Sequence, residues 1–199
     1  MVRYLGPKLH VIRRLRTHCL PGFSTKVNSK IGPLKKPLSS YGERLEEKQK
    51  VRFNYGLTTR QLKTYQELTQ RMPGPSGINL LILLEMRLDA TLFRIGVSSS
   101  IQQGRQWITH GHIFVNYSLI KSPRFQLRPG DLIHINPLNI NIISLIKRNL
   151  IEKKGRLEKE GDIPLECAHK LCYSYLKILI LRPIYPREAM FKFNDLLLL

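Results

Sequence analysis

The 199-residue chain reads as an α+β protein, mostly helical in its N-terminal half and followed by a small helix-helix-β-hairpin module. Three observations predict this. Apolar residues recur at helical spacing between Glu43 and His110, Pro73-Gly74-Pro75 interrupts them midway, and the period shortens to two beyond Gly111. Hydrophobic residues make up 42% of the chain and aromatics 8%, enough for a core and too many for wholesale disorder.

The first helix is expected over Glu43 to Asn54, with Leu45 and Phe53 inward, a Glu46–Lys50 pair at i,i+4, and Gly56 at the left-handed closing position. A second begins at once, because Thr58-Thr59-Arg60-Gln61 has the spacing of a capping box, and it must stop by Met72 before the prolines. Leu80, Leu81, Leu84, Leu88 and Leu92 then predict one long helix from Ile78 to Ile95, closed by Gly96. Ser99-Ser100-Ile101-Gln102 opens the next, which runs through Trp107 to His110. The short link makes these two helices pack as a hairpin or at a sharp angle.

Ile113 and Val115, the Asn116-Tyr117 turn, and Leu119 to Lys121 predict a β-hairpin. Arg128-Pro129-Gly130-Asp131 turns the chain into a further strand, Leu132 to Ile135. Asn141 to Lys153 reads as a weaker helix, Lys154 to Asp162 as a polar loop, and Lys177 to Leu181 as a buried strand. The apolar end Leu196 to Leu199 must cover something or associate.

Charge points to the partner. There are 33 Lys and Arg against 14 Asp and Glu, a formal net charge of +19. Met1 to Gly42 contains no acid, whereas Leu150 to Leu199 holds nine basic and seven acidic residues, so the asymmetry runs along the chain. A folded cationic protein is most simply matched to a phosphate backbone, since neutralising phosphates releases condensed counterions. The acid-free segment reads either as a disordered basic tail or as an arm that orders on nucleic acid, with Tyr4 and Phe23 available to stack on bases. An anionic membrane is the competing surface, but the longest apolar run, Ile78 to Leu84, is far short of a span and no membrane partner is expected.

Arg94, Arg105, Gln106, His110 and His112 group around the second helix of the module as a polar, basic ridge. Guanidiniums there suit phosphates and base faces, and the competing reading is a solvated helix face. Asn116-Tyr117 is equally well a tight turn and no more. Catalysis is poorly served: there is no P-loop, no G-x-G-x-x-G after a strand and no G-x-S-x-G. Cys167, His169 and Cys172 form a C-x-H-x-x-C without a fourth ligand, Cys19 stands apart, and neither metal nor other cofactor is expected. Glu85 and Asp89 are better suited to holding the helix pair together, or to pairing with Arg94, than to acid–base chemistry.

Several of these segments resemble one family. Arg3-Tyr4-Leu5-Gly6-Pro7-Lys8, Ser40-Tyr41-Gly42, Glu47-Lys48-Gln49-Lys50, Tyr55-Gly56-Leu57-Thr58 and Arg60-Gln61-Leu62 are similar to the N-terminal region of small-subunit ribosomal protein four, bacterial and organellar type. Leu84-Glu85-Met86-Arg87-Leu88-Asp89, Phe93-Arg94, Gly104-Arg105-Gln106 and His110 to Asn116 resemble that family's RNA-binding domain, which ends near Pro129-Gly130-Asp131. Pro186-Arg187-Glu188 and Phe193 to Leu197 look like a degraded form of its closing segment. The chain departs from the pattern in reducing the cysteine-rich site of some members to Cys19 and in lacking the usual basic C-terminal end.

The resemblance implies a non-enzymatic primary binder of small-subunit (16S-type) ribosomal RNA at a multi-helix junction. Such a protein nucleates assembly of the subunit body and contributes to translational accuracy. It also implies contact with ribosomal protein five of the small subunit, with messenger RNA nearby. The expected division is a basic arm over 1–42, a helical domain over 43–86, the RNA-binding domain over 87–148, and a segment over 149–199 that packs back to complete the N-terminal domain.

RNA contacts are expected from Arg3, Tyr4, Lys8, Arg13, Arg14 and Arg16 in the arm, and from Lys48, Lys50, Arg52 and Arg60 in the helical domain. Arg87, Arg94, Arg105, Gln106, His110, His112, Asn116, Lys121 and Arg124 complete the set. Richness in Ile, Leu, Lys and Asn leans towards a chloroplast or other plastid ribosome, with the bacterial cytoplasm and the mitochondrion as alternatives. The rivals from other classes are an RNA-modifying enzyme and a duplex-DNA architectural protein.

Overall fold

In the computed structural model, which describes residues 4, 6–24, 39–136, 140–160, 169–172, 177–183 and 194, the acid-free N-terminal segment is folded over residues 8–24. Helix α1, Lys8–Arg14, buries Val11 and Ile12, and the chain reverses at Arg16, whose φ is +51°. Leu20 then bridges Ser24 across a tight turn. Val11, Ile12, Leu15, Leu20, Phe23 and Phe53 form one apolar cluster. The Gly22 amide donates to Asn54 Oδ1 at 3.1 Å, which fastens the segment to the next helix. The free-arm expectation therefore fails for residues 8–24, because four or more large apolar side chains there have a core to enter; residues 25–38 lie outside the described set.

Helix α2, Ser40–Asn54, is capped by Ser39, which accepts from the Gly42 amide, and Gly56 takes a φ of +57° after it. Phe53 is buried as expected, but Leu45 is exposed and Val51 takes the inward position in its place. Helix α3, Thr59–Gln70, opens with the predicted capping box. The Thr58 hydroxyl accepts from the Gln61 amide at 3.2 Å and the Gln61 side chain accepts from the Thr58 amide at 3.1 Å.

The long helix predicted from Ile78 to Ile95 is two helices, α4 (Ser76–Glu85) and α5 (Leu88–Ile95). Arg87 is extended between them and bridges Gln126. The Leu88 amide donates to the Phe125 carbonyl, the Leu127 amide donates to the Met86 carbonyl, and the Thr91 hydroxyl reaches the carbonyls of Glu85 and Arg87. Backbone groups that a continuous helix would pair locally are paired with a strand-like stretch some 40 residues on, so neither glycine nor proline is needed for the break.

Helix α6, Ile101–Thr109, follows a Ser100 cap, and α5 packs against it. The link between them turns at Gly96, φ +94°. A Cβ at Gly104 would stand 3.1 Å from Ser98 Oγ and 3.4 Å from the Asp89 carbonyl oxygen, so the small residue permits the close approach.

Strands β1 (Ile113–Val115), β2 (Ser118–Leu119), β3 (Leu132–Ile135), β4 (His169–Cys172) and β5 (Lys177–Ile180) form one antiparallel sheet in the order β2-β1-β3-β5-β4. Ile113, Val115, Ile133, Ile135, Ile178 and Ile180 fill one face. Helix α7, Ile140–Glu160, contributes Ile146 and Leu150 to the buried set, and the Asn149 amide group donates to the Val97 carbonyl. It runs through Lys154 to Glu160, where a loop was expected. Lys, Arg, Leu and Glu are good helix formers, and Gly155 is the only weak residue among them.

The chain divides into two compact units, Met1–Leu84 with Tyr185–Leu199, and Glu85–Ile184. The expected return of 149–199 to the N-terminal domain thus does not describe residues up to 184. β5 pairs with β3 residue for residue from Leu132↔Leu179 to His134↔Lys177, and covers a strand edge that would otherwise be open. Asn194 stands with the first unit, its amide donating to Glu47 Oε2 at 3.4 Å. The apolar end Leu196–Leu199 lies outside the described residues.

Phe23→Ala tests whether residues 8–24 are core. Emptying that position should cost about 3–5 kcal/mol in urea unfolding, whereas a free arm would show almost no change.

Candidate nucleic-acid interface

The sharpest electrostatic feature of the second unit is inside it. Asp89, at the start of α5, is fully buried. Arg87 Nε donates to its Oδ1 at 3.0 Å, Arg87 Nη2 to its Oδ2 at 2.8 Å, and Arg105 Nε to the same Oδ2 at 2.6 Å. The Ala90 amide adds a fourth bond at 2.9 Å. Alongside, Arg94 Nη1 donates to Glu85 Oε2 at 3.0 Å.

Arg87, Arg94 and Arg105 are 1%, 2% and 9% exposed, so these guanidiniums serve the fold and not an RNA surface. A phosphate could reach them only by breaking desolvated ion pairs. The sequence reading placed Glu85 and Asp89 correctly as helix-pairing acids. It erred on the arginines, because a buried and an exposed arginine look alike in a polar helix.

Gln106 on α6 and His110, the residue that caps its C-terminus, are exposed and lie one turn apart; His112 is half-buried and its ring meets that of His110 edge-on, centroids 6.0 Å apart. Lys121 and Arg124 are exposed beyond β2. So is Arg128, which sequence reasoning treated only as part of a turn although an Arg-Pro-Gly-Asp corner carries its first side chain outward. Asn116 is committed elsewhere: its Nδ2 donates to Asp131 Oδ1 at 2.8 Å and its Oδ1 accepts from the Leu132 amide at 2.9 Å, clamping the hairpin turn to β3.

On the sheet's other face, His134 stacks on Phe114 with centroids 5.0 Å apart and 14° between planes. Burial first, and then the charge of Lys177, hold its imidazole below the ordinary histidine value.

In the first unit the cations gather around aromatics. Tyr4, Phe23 and Phe53 pack with centroids 5.7 to 6.0 Å apart. Lys8 Nζ lies 5.4 Å from the Phe23 centroid, while the guanidinium carbons of Arg14 and Arg52 lie 5.8 and 4.5 Å from that of Phe53. Arg52 also donates to Thr59 Oγ1 at 3.0 Å. Partial burial, and then Arg14's charge, depress its pKa, yet a guanidinium stays charged at neutral pH.

Phe23, only 3% exposed, is a core ring and cannot stack on a base; Tyr4 keeps 41% of its surface. Arg13 and Arg60 are exposed, Lys48 and Arg16 half-buried, and Lys50 is drawn into pairs with Glu46 at 3.4 Å and Glu47 at 2.7 Å. Arg3 lies outside the described residues. Among the described residues no group of three or more His, Cys, Asp or Glu could hold a metal ion, and no helix is long and apolar enough to cross a membrane.

Residues 3–85 match the Ribosomal protein S4/S9 N-terminal domain and residues 86–133 match the S4 domain, two models that meet where the two compact units divide. The small ribosomal subunit protein uS4c of Phaeodactylum tricornutum is 47% identical over 172 residues, 82% of this chain and 81% of that protein. The chain belongs to the uS4 family. The uS4 protein of Acaryochloris marina is likewise 47% identical over 170 residues, covering 82% of this chain and 80% of its own, and uS4c of Nephroselmis olivacea is 46% identical over 142 residues, 68% and 69%. As a uS4-family member the chain is a small-subunit ribosomal protein, structural and not enzymatic, that binds ribosomal RNA through its S4 domain.

Two outcomes follow from the buried charges. Asp89→Ala removes the carboxylate that two buried guanidiniums share and should destabilise the protein by about 3–5 kcal/mol, read as a lowered urea midpoint; Arg94→Ala or Arg105→Ala should act in the same sense, through stability before affinity. For His134, the unfolded chain takes up a proton at a pH where the folded chain does not. Stability is therefore intact above the unfolded histidine value of about 6.5 and falls as the pH drops below it. His134→Phe should flatten that acid-side decline in urea midpoints; an unchanged decline would assign it to other groups.

Proposed function

We propose that this uS4-family chain is a primary binder of 16S-type ribosomal RNA, gripping phosphates with the exposed cations of each unit and so nucleating assembly of the subunit body. The observation that carries the reading is the distribution of acids. Among the described residues, the side chains of Glu46, Glu47, Glu67, Glu85, Asp89, Asp131 and Glu152 are engaged in ion pairs or hydrogen bonds and Glu43 is an exposed acid with no ion pair, whereas five cations, Arg13, Arg14, Arg60, Lys121 and Arg124, stand exposed with no ion-pair partner. The cation–aromatic cluster of Lys8, Arg14 and Arg52 supports it further, since two guanidiniums flank one ring and an intervening phosphate would relieve their repulsion.

Contacts of this kind recognise shape. An A-form major groove is too deep and narrow for side chains, so arginine and lysine bridge phosphates and 2′-hydroxyls of neighbouring helices. Gln106, His110 and His112 add hydrogen-bonding groups beside the hairpin. The relatives, spread over algae and cyanobacteria, favour a plastid ribosome. Contact with ribosomal protein five, proximity to messenger RNA and a part in translational accuracy belong to the same reading.

Competition at physiological salt between a 5′-region small-subunit RNA fragment, transfer RNA and duplex DNA tests it. The ribosomal fragment should win, with log affinity falling linearly in log salt. Arg14→Gln should weaken binding and reduce that slope by about one. Equal affinity for all three nucleic acids would leave only a basic protein.

A further inference from the structure

The turn between β1 and β2 has a side chain that its backbone does not favour. Asn116 and Tyr117 take φ of +51° and +63°, the two left-handed positions of a type I′ hairpin turn. Asparagine suits the first, and here both ends of its side chain are hydrogen-bonded to the β3 side of the sheet. The second position favours glycine, because a Cβ at positive φ crowds the neighbouring carbonyl. Tyr117 nevertheless carries a large ring there, and 71% of its surface is exposed, so burial does not offset the strain. An exposed aromatic held in a strained turn suggests use.

Its surroundings say what kind. The Tyr117 ring leans on His134, centroids 5.2 Å apart and planes at 45°, and His134 stacks in turn on Phe114. Phe114, His134 and Lys177 are cross-strand neighbours in one row of the sheet, with the exposed Leu119 at its end. No acid belongs to that row, and the nearby Asp131 is occupied by Asn116 and by the Arg128 amide. Three linked rings beside a lysine offer π-surface and positive potential together, which suits a nucleobase on a phosphate backbone better than an apolar protein side chain.

We propose that Tyr117, backed by His134 and Phe114, is a stacking platform for an unpaired nucleobase of the bound RNA. The proposal rests on the RNA-binding reading above and adds to its phosphate grip a contact that needs a splayed-out base.

The test compares the full chain with its Tyr117→Gly and Tyr117→Phe variants, measuring affinity for the 5′-region ribosomal fragment over a salt series together with the thermal midpoint. Glycine relaxes the turn, so Tyr117→Gly should melt no lower than the parent and loss of fold cannot explain a binding defect. Its affinity should fall about tenfold at every salt concentration with the slope unchanged, because a stacked base is lost and no phosphate contact is; Tyr117→Phe should bind like the parent. Parent-like affinity of Tyr117→Gly, with the parent still preferring the ribosomal fragment, overturns the platform and leaves the RNA-binding reading standing. Unchanged RNA affinity with impaired incorporation into small subunits would give the ring to a protein contact and also overturn it. No preference of the parent for the ribosomal fragment sinks both.

Discussion

The Asp89 carboxylate is the constraint on which the second unit depends. An isolated carboxylate in this position would cost many kcal/mol in desolvation, and it is tolerable only because two arginines and a backbone amide saturate it. Each partner comes from a different place: Arg87 from the break after α4, Ala90 from the first turn of α5, Arg105 from the middle of α6. Satisfying one side chain therefore fixes where α5 starts and how close α6 lies, and the Arg94–Glu85 pair repeats the constraint one turn further along α5. Hydrophobic packing alone would allow the helices to slide; a geometric demand from four donors does not.

The same interaction explains what the sequence could and could not disclose. Local chemistry was legible: the Thr58–Gln61 capping box, the Asn116-Tyr117 turn and the strands that follow depend on residues a few positions apart. The break at Met86-Arg87 was hidden because its cause is tertiary, the pairing of that backbone with residues 125–127. For the same reason Arg94 and Arg105 read as part of a binding ridge, when their carboxylate partners lie nine and sixteen residues away. In the N-terminal segment the absence of acids suggests a solvated arm, yet Val11, Ile12, Leu15, Leu20 and Phe23 supply enough apolar surface for a core. Cationic character and core formation are compatible when arginines and lysines lie over the ring faces they help cover.

Pairing within the cluster has an electrostatic consequence for the surface. Glu85 and Asp89 offset two of the three charges on Arg87, Arg94 and Arg105, so the interior retains one positive charge, 3 − 2 = +1, and consumes two of the chain's few acids. Glu85 and Asp89, held inside, and Glu46 and Glu47, both bound to Lys50 on α2, moderate the field outside only weakly. The positive potential that attracts a phosphate backbone thus comes from exposed arginines and lysines that outnumber the acids left at the surface, while four of the described acids serve the scaffold.

Buried arginines nevertheless bear on RNA recognition, by position instead of contact. Asp89 anchors Arg105, Arg105 sits next to Gln106 on α6, and the end of α6 delivers His110 and His112 directly into β1. From β1 the hairpin turn is fixed by Asn116 against Asp131 and Leu132. A displacement of α6 would move the exposed polar groups and the hairpin together, because only the three residues His110 to His112 separate α6 from β1 in the chain and the His112 amide donates back to the Trp107 carbonyl. A phosphate or base contact made to better than an ångström needs such support, and the ion cluster supplies it from beneath.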